Sequence, residues 1–219
     1  MTVPYTHHTL FEINDNLQIK EESIGLFKYL YIDNFYKRPD EIHKMFEQSW
    51  FINWKLDAKG HNFKDYYDCR IYIPLNDHGF LNENKTVDWL KKSLGLDPKL
   101  YCPEISTNIF TWVNKPNTKN IQFWPHQDPT FNILVYLDKI NSGGTALYPK
   151  IPQNIQSEHI DIRYDISPIK ENMQIIPSVF NRCVIFDGSI PHGGYIEDHN
   201  KYSNGNWRYN TVYFFRWQN

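Results

Sequence analysis

His126 and Asp128 are the residues whose types and spacing point most directly to chemistry. They stand two positions apart in the segment Trp124-Pro125-His126-Gln127-Asp128-Pro129. In extended backbone, side chains at positions i and i+2 point to the same face. An imidazole nitrogen and a carboxylate oxygen on one face can bind the same cation. The spacing therefore predicts that His126 and Asp128 are two ligands of one metal site.

His192 is the candidate third ligand. It lies in the segment 186–194, which reads as an apolar strand end followed by a turn containing Gly188, Pro191 and Gly193. Two imidazoles and one carboxylate on one side of an ion leave other coordination positions open for small ligands. That donor set with open positions is typical of non-haem Fe(II) oxygenases.

A second His-x-Asp pair, His159 and Asp161, competes with the first. A motif this short also arises by chance, and a hydrogen bond at a surface turn would explain either pair. We prefer His126 and Asp128 because three predicted strands separate them from His192, enough chain to travel round a barrel and return. Asp161 lies much closer to His192 along the chain.

Arg208 opens the apolar run 207–215 of the last predicted strand. Burying a guanidinium without a partner costs free energy, and its planar fork matches a carboxylate. Strand alternation places Arg208 and Asn210 on one face. The alternatives are an arginine paired with an internal acidic residue, or one that ends the strand at the surface.

Two helices and a leading strand are predicted in the N-terminal half. Residues 26–36 carry β-branched and aromatic side chains, typical of a strand. Pro39 fits the first turn of a helix that runs to about Trp50. A second helix runs from about Asn84 to Leu94 and ends at Gly95.

From residue 104 onward, short strands follow one another at regular spacing, over 105–113, 131–137, 173–176, 182–186 and 208–216. Turn-forming residues separate them, including Asn141-Ser142-Gly143-Gly144 and Asp187-Gly188-Ser189. The 16% aromatic content also favours strands. The predicted class is mainly β, an antiparallel sandwich or barrel with helices packed outside.

Length and charge exclude several classes of protein. A chain of 219 residues fits one domain, and a net charge of −2 without basic blocks argues against a nucleic-acid partner. No apolar run approaches the roughly 18 residues of a membrane helix, and the first residues lack signal-peptide features. We therefore expect a soluble cytoplasmic protein. Cys69, Cys102 and Cys183 are too few and too scattered for a disulfide framework.

Residues 104–216 resemble the Fe(II)/2-oxoglutarate-dependent oxygenase superfamily, on its prolyl-hydroxylase-like side. The matching elements, in chain order, are His126-x-Asp128, Val135-Tyr136-Leu137-Asp138, Gly143-Gly144-Thr145, Phe186 ahead of His192-x-Gly194, and Arg208 in a terminal strand. The resemblance implies a double-stranded β-helix (jelly-roll) core over 104–216. Residues 1–103 would supply leading strands and covering helices, so that 1–219 form a single domain.

The same resemblance implies a cofactor and a cosubstrate. Fe(II) would be held by the catalytic residues His126, Asp128 and His192. The cosubstrate 2-oxoglutarate would chelate the iron and be bound by residues on neighbouring strands, which are Arg208, Asn210, Tyr136 and Asn108. O2 would take the remaining position, and turnover would release succinate and carbon dioxide.

The implied reaction is hydroxylation of an unactivated C–H bond in a small molecule, an amino acid or a peptide side chain. Halogenases of this superfamily typically lack the carboxylate ligand, so Asp128 argues for hydroxylation. Two other functions fit the same residues. One is a zinc-type hydrolase that uses the triad without a cosubstrate, and the other is a non-catalytic β-sandwich binding module.

Two polar stretches, 151–170 and 197–206, are candidates for segments that cover the mouth of the site and select the substrate. Lys201 and Tyr202 stand in the second one. Their composition is also that of ordinary solvated loops, which is the interpretation the sequence favours.

Overall fold

The computed structural model describes residues 10–47, 55–56, 67–72, 85–97, 99–112, 125–128, 130–149, 172–202 and 206–217. Residues 55–56, 67–72, 101, 103–112 and 199 are described by their backbone. Four sequence predictions fall on residues or side chains that the structure does not describe. They are the end of the first helix beyond residue 47, the pair at 159 and 161, the loop over 151–170, and the side chain of Asn108.

The described chain is mainly β. Its strands are β1 (Lys20–Ile24), β2 (Phe27–Ile32), β3 (Lys55–Leu56), β4 (Tyr67–Tyr72), β5 (Leu100–Trp112), β6 (Phe131–Tyr136), β7 (Gly143–Leu147), β8 (Gln174–Pro177), β9 (Cys183–Asp187), β10 (His192–Ile196) and β11 (Arg208–Trp217). Its helices are α1 (Pro39–Glu47), α2 (Lys85–Ser93) and a 3₁₀-helix (His199–Tyr202). The mainly β class predicted from the sequence is confirmed.

The strands form two antiparallel sheets. The large sheet has the order β1-β2-β9-β6-β11-β5-β4-β3, and the small sheet has the order β10-β7-β8. Strands β6 and β11 pair with each other and lie in the middle of the large sheet. Their central position gives every buried backbone group on them a hydrogen-bond partner, which fixes the side chains they carry.

Alternation on β6 separates two hydrophobic cores. Ile133 and Val135 face one side, where they pack in a cluster with residues of α1 and α2 such as Ile42 and Leu90. Leu134 faces the other side and packs in a second cluster, which includes Leu147 and Ile176 of the small sheet. The helices therefore cover the outer face of the large sheet, and its inner face looks toward the small sheet.

Both helices begin close to the predicted residues, and α2 also ends close to its predicted end. Pro39 starts α1, and Asp40 and Glu41 lie in its first turn, where acidic side chains complement the helix dipole. After α2, Gly95 adopts a positive φ of 58°, and the Leu96 amide donates to the Lys91 carbonyl at 3.0 Å. Among the described residues, no helix has both the length and the hydrophobicity that spanning a bilayer requires.

Gly143 and Gly144 do not form the predicted turn; they are the first residues of β7, the middle strand of the small sheet. A Cβ atom on Gly144 would lie 2.0 Å from the carbonyl oxygen of Ile176, and one on Gly143 would lie 2.4 Å from that of Tyr195. The glycines permit close approach of the neighbouring strands. The turn itself lies earlier, at Asn141, whose φ is 52°.

His192 also lies in a strand rather than in a turn. It begins β10 and pairs with Leu147. The predicted turn ends before it, where the Ser189 amide donates to the Asp187 carboxylate at 2.9 Å and the Ile190 amide to the Asp187 carbonyl at 3.0 Å. An Asx-type turn of this kind completes the change of direction in three residues. His192 is then free to join the small sheet.

Asn181 ties the segment before α1 to the large sheet. Its side chain accepts from the Tyr36 amide at 2.8 Å and donates to the Tyr36 carbonyl at 2.9 Å. Its own amide donates to the Tyr136 carbonyl at 2.7 Å, and its φ is 61°. Asn181 therefore replaces a neighbouring strand as the partner of Tyr36.

We expect Asn181→Ala to lower the free energy of unfolding by about 1–3 kcal/mol more than Asn34→Ala. The buried Tyr36 amide loses its partner, and the Tyr36 carbonyl keeps only the donor Asn14 Nδ2 at 3.2 Å. Asn34 is the matched control, since it also has a positive φ, of 53°, but its side chain is exposed. Urea unfolding at equilibrium measures both variants. Equal losses would show that backbone strain, and not the side-chain bonds, sets the cost at Asn181.

Candidate metal centre

Two backbone hydrogen bonds join His126 and His192. The His126 amide donates to the His192 carbonyl at 2.9 Å, and the His192 amide donates to the His126 carbonyl at 2.9 Å. The residues thus form an antiparallel bridge at the free edge of β10. Their imidazole centroids lie 4.4 Å apart. Two side chains far apart in the sequence are held side by side by the backbone.

The backbone also holds Asp128 in place. Its amide donates to the Gly188 carbonyl at 2.8 Å, and the Gly188 amide donates to the Thr130 carbonyl at 2.8 Å. A Cβ atom at Gly188 would lie 2.1 Å from the Thr130 carbonyl oxygen and 2.9 Å from Asp128 Cβ. Glycine is therefore required at this position for the segment carrying Asp128 to approach the turn after β9.

The three predicted ligands come together. One ligand atom from each of His126, Asp128 and His192 lies within 4.8 Å of the others. Asp128 Oδ2 and His192 Nε2 are 3.3 Å apart. Two ligand atoms at right angles, each about 2.1 Å from an ion, would lie about 3.0 Å apart. Their spacing and their nitrogen and oxygen donors therefore fit a first-row divalent metal ion, with Fe(II) among them.

His192 presents the correct nitrogen for binding a metal. Its Nδ1 lies 2.8 Å from the Ile190 carbonyl oxygen, which can only accept a hydrogen bond, so Nδ1 carries the proton. In the neutral ring, Nε2 then carries the lone pair. Phe186 packs edge-on against the ring with a centroid distance of 4.9 Å. The orientation of the imidazole is thus set by one hydrogen bond and one aromatic contact.

Asp128 is held in its ionised form. Burial acts to raise the pKa of this carboxyl, but the close contact with His192, the charges that His126 and His192 carry when they are protonated, and the hydrogen bond from Asn132 together outweigh it. The pKa of Asp128 therefore lies below its ordinary value of 3.8. At neutral pH the side chain is a carboxylate, as a metal ligand must be.

Asn132 belongs to the same cluster, although its role was not predicted. Its Nδ2 donates to Asp128 Oδ2 at 2.7 Å and lies 2.8 Å from His192 Nε2. The signal that identifies it is strand parity. Ile133 and Val135 face the outer core, so an asparagine at 132 faces the space between the sheets, four residues after Asp128.

Arg208 lies in the same space between the sheets. It is buried at the start of β11, and its Nη2 donates to the Gly144 carbonyl of β7 at 2.9 Å. Its Nη1 lies 3.4 Å from Asn210 Oδ1, so the predicted shared face is observed. The guanidinium therefore reaches from the large sheet to the small one.

Tyr136 and Asn210 lie beside this arginine. Asn210 pairs in register with Tyr136 on one side and with the backbone of Asn108 on the other. The Tyr136 hydroxyl lies 2.8 Å from Thr145 Oγ1 of β7. Burial raises the pKa of Tyr136 to about 12, against the hydrogen bond with Thr145 and the charge of Arg208. Tyr136 therefore keeps its proton and remains a hydrogen-bond donor.

The metal cluster and the arginine cluster occupy opposite ends of one face. Asn132 and Tyr136 are four residues apart on β6, which corresponds to about 13 Å along the strand. Leu134 lies between them on the same face and is buried. A small elongated ligand could therefore contact the metal ligands with one end and Arg208 with the other.

The segment 197–206 is not simply a solvated loop. Its 3₁₀-helix buries Tyr202 completely, whereas Lys201 is exposed. The Tyr202 hydroxyl donates to the carboxylate of Asp138, which is itself buried, and accepts from the Ser142 amide at 3.2 Å. The prediction of a solvated position for Tyr202 is wrong because the buried Asp138 carboxylate requires hydrogen-bond donors.

Comparison with known proteins relates this chain to solved structures. No protein-family model matches it, and no curated protein matches it. SnoN, a non-heme alpha ketoglutarate dependent epimerase from nogalamycin biosynthesis, superposes with a TM-score of 0.50 at 11% identity, over 85% of this chain and 77% of SnoN. SnoK, a non-heme alpha ketoglutarate dependent carbocyclase from the same biosynthesis, gives a TM-score of 0.50 at 9% identity, over 85% of this chain and 78% of SnoK. This chain shares their fold.

We expect Asp128→Ala and His192→Ala each to weaken Zn²⁺ binding by at least about 100-fold, since losing a ligand costs more than losing one of its outer partners. Gln127→Ala is the matched control, because Gln127 lies between two ligands but is exposed. Isothermal titration calorimetry measures the dissociation constants. Unchanged affinity in the ligand variants would mean that the three side chains do not form a metal site.

Proposed function

We propose that this protein is an Fe(II)- and 2-oxoglutarate-dependent dioxygenase that hydroxylates an unactivated C–H bond. The observation that carries the proposal is the meeting of His126, Asp128 and His192 within 4.8 Å on the inner face that also bears a buried arginine. Two imidazoles and one carboxylate leave coordination positions for a chelating cosubstrate and for oxygen. Arg208 supplies the positive charge that the far end of a dicarboxylate requires.

The strand order supports a double-stranded β-helix for this core. Strands β5, β11, β6 and β9 are consecutive neighbours in the large sheet, and β10, β7 and β8 are consecutive in the small one. The bridge at His126 adds a fourth segment beside β10. In this arrangement the chain passes repeatedly between four neighbouring strands of the large sheet and four segments of the small one. These segments lie between Leu100 and Trp217, close to the predicted core over 104–216. We further propose that 1–219 form one domain, with the preceding strands and helices covering the core.

The residues have distinct parts in the proposed reaction. Fe(II) with 2-oxoglutarate and O2 would supply the oxidant, while 2-oxoglutarate is converted to succinate and carbon dioxide. His126, Asp128 and His192 would hold the iron, and the lone pair on His192 Nε2 and the ionised Asp128 are suited to that task. Arg208 would pair with the distal carboxylate of the cosubstrate, and Tyr136 would donate a hydrogen bond to it.

Burial at the arginine end contributes to the binding of the cosubstrate. Arg208 and Tyr136 are almost fully shielded from water, and Leu134 and Val212 line the same face. In such surroundings a charged hydrogen bond is stronger than in water. The protein would thus fix the length and orientation of the cosubstrate, so that its other end meets the metal ligands.

We further propose that the oxidised substrate is a small molecule, an amino acid or a peptide side chain. The net charge of −2 argues against nucleic acid as the substrate. The solved structures of SnoN and SnoK are described as an epimerase and a carbocyclase. Product analysis therefore has to separate oxygen insertion from stereochemical inversion and ring closure, and hydroxylation predicts a product heavier by one oxygen atom.

Succinate formation is the direct test of the reaction. We expect the protein, supplied with Fe(II), ascorbate and 2-oxoglutarate under air, to release succinate, and a panel of amino acids and small metabolites to accelerate the release. A zinc-type hydrolase or a binding module would form none. Absence of succinate above a metal-free control, with every candidate substrate, contradicts the proposal.

Arg208→Ala should raise the KM for 2-oxoglutarate by about 30-fold or more, because a buried charged contact is lost, while Asp128→Ala should abolish turnover. Arg216→Ala is the matched control, since Arg216 lies on the same strand but is exposed. Initial rates of succinate release measure all three variants. Identical kinetics for Arg208→Ala and Arg216→Ala would remove Arg208 from the cosubstrate site.

A further inference from the structure

The side-chain amide of Asn132 bridges two of the predicted metal ligands. Its Nδ2 lies 2.7 Å from Asp128 Oδ2 and 2.8 Å from His192 Nε2, and those two atoms are 3.3 Å apart. Each of its two amide hydrogens therefore has its own acceptor. A single NH2 group stands between a carboxylate and an imidazole that the metal proposal assigns to one cation.

The hydrogen-bonding capacity of the three groups identifies the Asn132 amide as the donor. The Asp128 carboxylate can only accept, and in the neutral ring, the form that binds a metal, His192 Nε2 carries a lone pair because Nδ1 donates to the Ile190 carbonyl. Rotating the amide by 180° would place its carbonyl oxygen against two acceptors. In the observed orientation Asn132 Oδ1 is buried without a hydrogen-bond partner among the described residues, although the side chain is 7% exposed. An unpaired buried acceptor makes this orientation costly.

The contact with His192 and a metal bond exclude each other. Nε2 has one lone pair in the plane of the ring, so it cannot accept the amide hydrogen and bind a cation at once. Asp128 differs, because a carboxylate has about four lone-pair sites and can bind an ion through one and accept a hydrogen bond on another. Metal binding must therefore break one of the two bonds of Asn132 and can spare the other.

We propose that Asn132 is a positioning residue that competes with the metal for His192 and stays bonded to Asp128. The amide satisfies both ligand atoms while no ion is bound and releases His192 when the ion arrives. Its bond to Asp128 is kept in both states and therefore does not change the affinity for the ion. The inference rests on the metal centre of the proposed function but not on the reaction that follows. It predicts that removing the amide has opposite effects on the stability of the protein and on its affinity for metal.

Asn132→Leu tests the competition, because leucine has a similar shape and no donor. Without metal, the variant should unfold at a lower temperature than the wild type, since the two ligands lose their shared donor. It should nevertheless bind Zn²⁺ about five-fold more tightly, the equivalent of one hydrogen bond that no longer has to be broken. Calorimetric titration of chelator-treated protein in slightly alkaline buffer, where protons do not compete for the ligands, measures the affinity.

Two further variants serve as a control and as an intermediate case. Thr211→Val is the matched control, because Thr211 is buried on the neighbouring strand β11 and pairs with Val135, whose side faces the outer core and not the metal ligands. Its Zn²⁺ affinity should equal that of the wild type. Asn132→Ser, which has one donor instead of two, should lie between the wild type and Asn132→Leu, and it serves if the leucine variant fails to fold.

The possible results separate the two proposals. Tighter Zn²⁺ binding by Asn132→Leu, with unchanged binding by Thr211→Val, supports the competition. Equal or weaker binding by both Asn132 variants would overturn it and leave the metal centre intact. Failure of the wild type to bind Zn²⁺ at all would overturn the metal centre and the role of Asn132 together.

Discussion

The candidate site depends on a pair of backbone hydrogen bonds, the reciprocal bonds between His126 and His192. They attach a short segment outside the named strands to the free edge of β10, and so bring the first and last predicted ligands together. Asp128 lies beside them because its amide donates to the Gly188 carbonyl in the turn after β9. The main chain therefore fixes the spacing of the three ligand side chains before any ion binds. A preformed arrangement of this kind costs little conformational entropy when a metal binds.

The separation of the two faces of the large sheet explains how a polar site can exist beside a hydrophobic core. The outer face packs against α1 and α2 and supplies a continuous hydrophobic core. The inner face carries Asn132, Arg208 and Asn210, which are buried polar groups that would be costly without partners. They are tolerated because they bond to one another or to the small sheet, as Arg208 does with Gly144. The hydrophobic core that stabilises the fold and the candidate metal site thus lie on opposite faces of the same strands.

The sequence predicted β5, β6 and β11 of the large sheet and the three side chains that meet, because alternation and the His-x-Asp spacing are local signals. It did not predict β7 and β10 of the small sheet. It missed contacts that depend on tertiary packing. Asn132 gives no local signal until its strand is known to be covered on both faces. Gly143 and Gly144 read as a turn because glycine favours turns, but they are needed where strands approach closely. Tyr202 reads as part of a polar insertion, and its burial follows from Asp138, a residue far away in the sequence.

The bridge at His126 divides the site into parts of unequal rigidity. Asn132 lies in β6, whose amides are covered by strands on both sides, whereas His126 is attached by two bonds to an edge and is itself exposed. In hydrogen exchange, such an edge segment opens locally at a much lower free energy than a central strand. A cation bound by His126, Asp128 and His192 would attach this edge segment more firmly to β10. Slower amide exchange would then be confined to the loop side of the site, and the strands behind it would exchange as before.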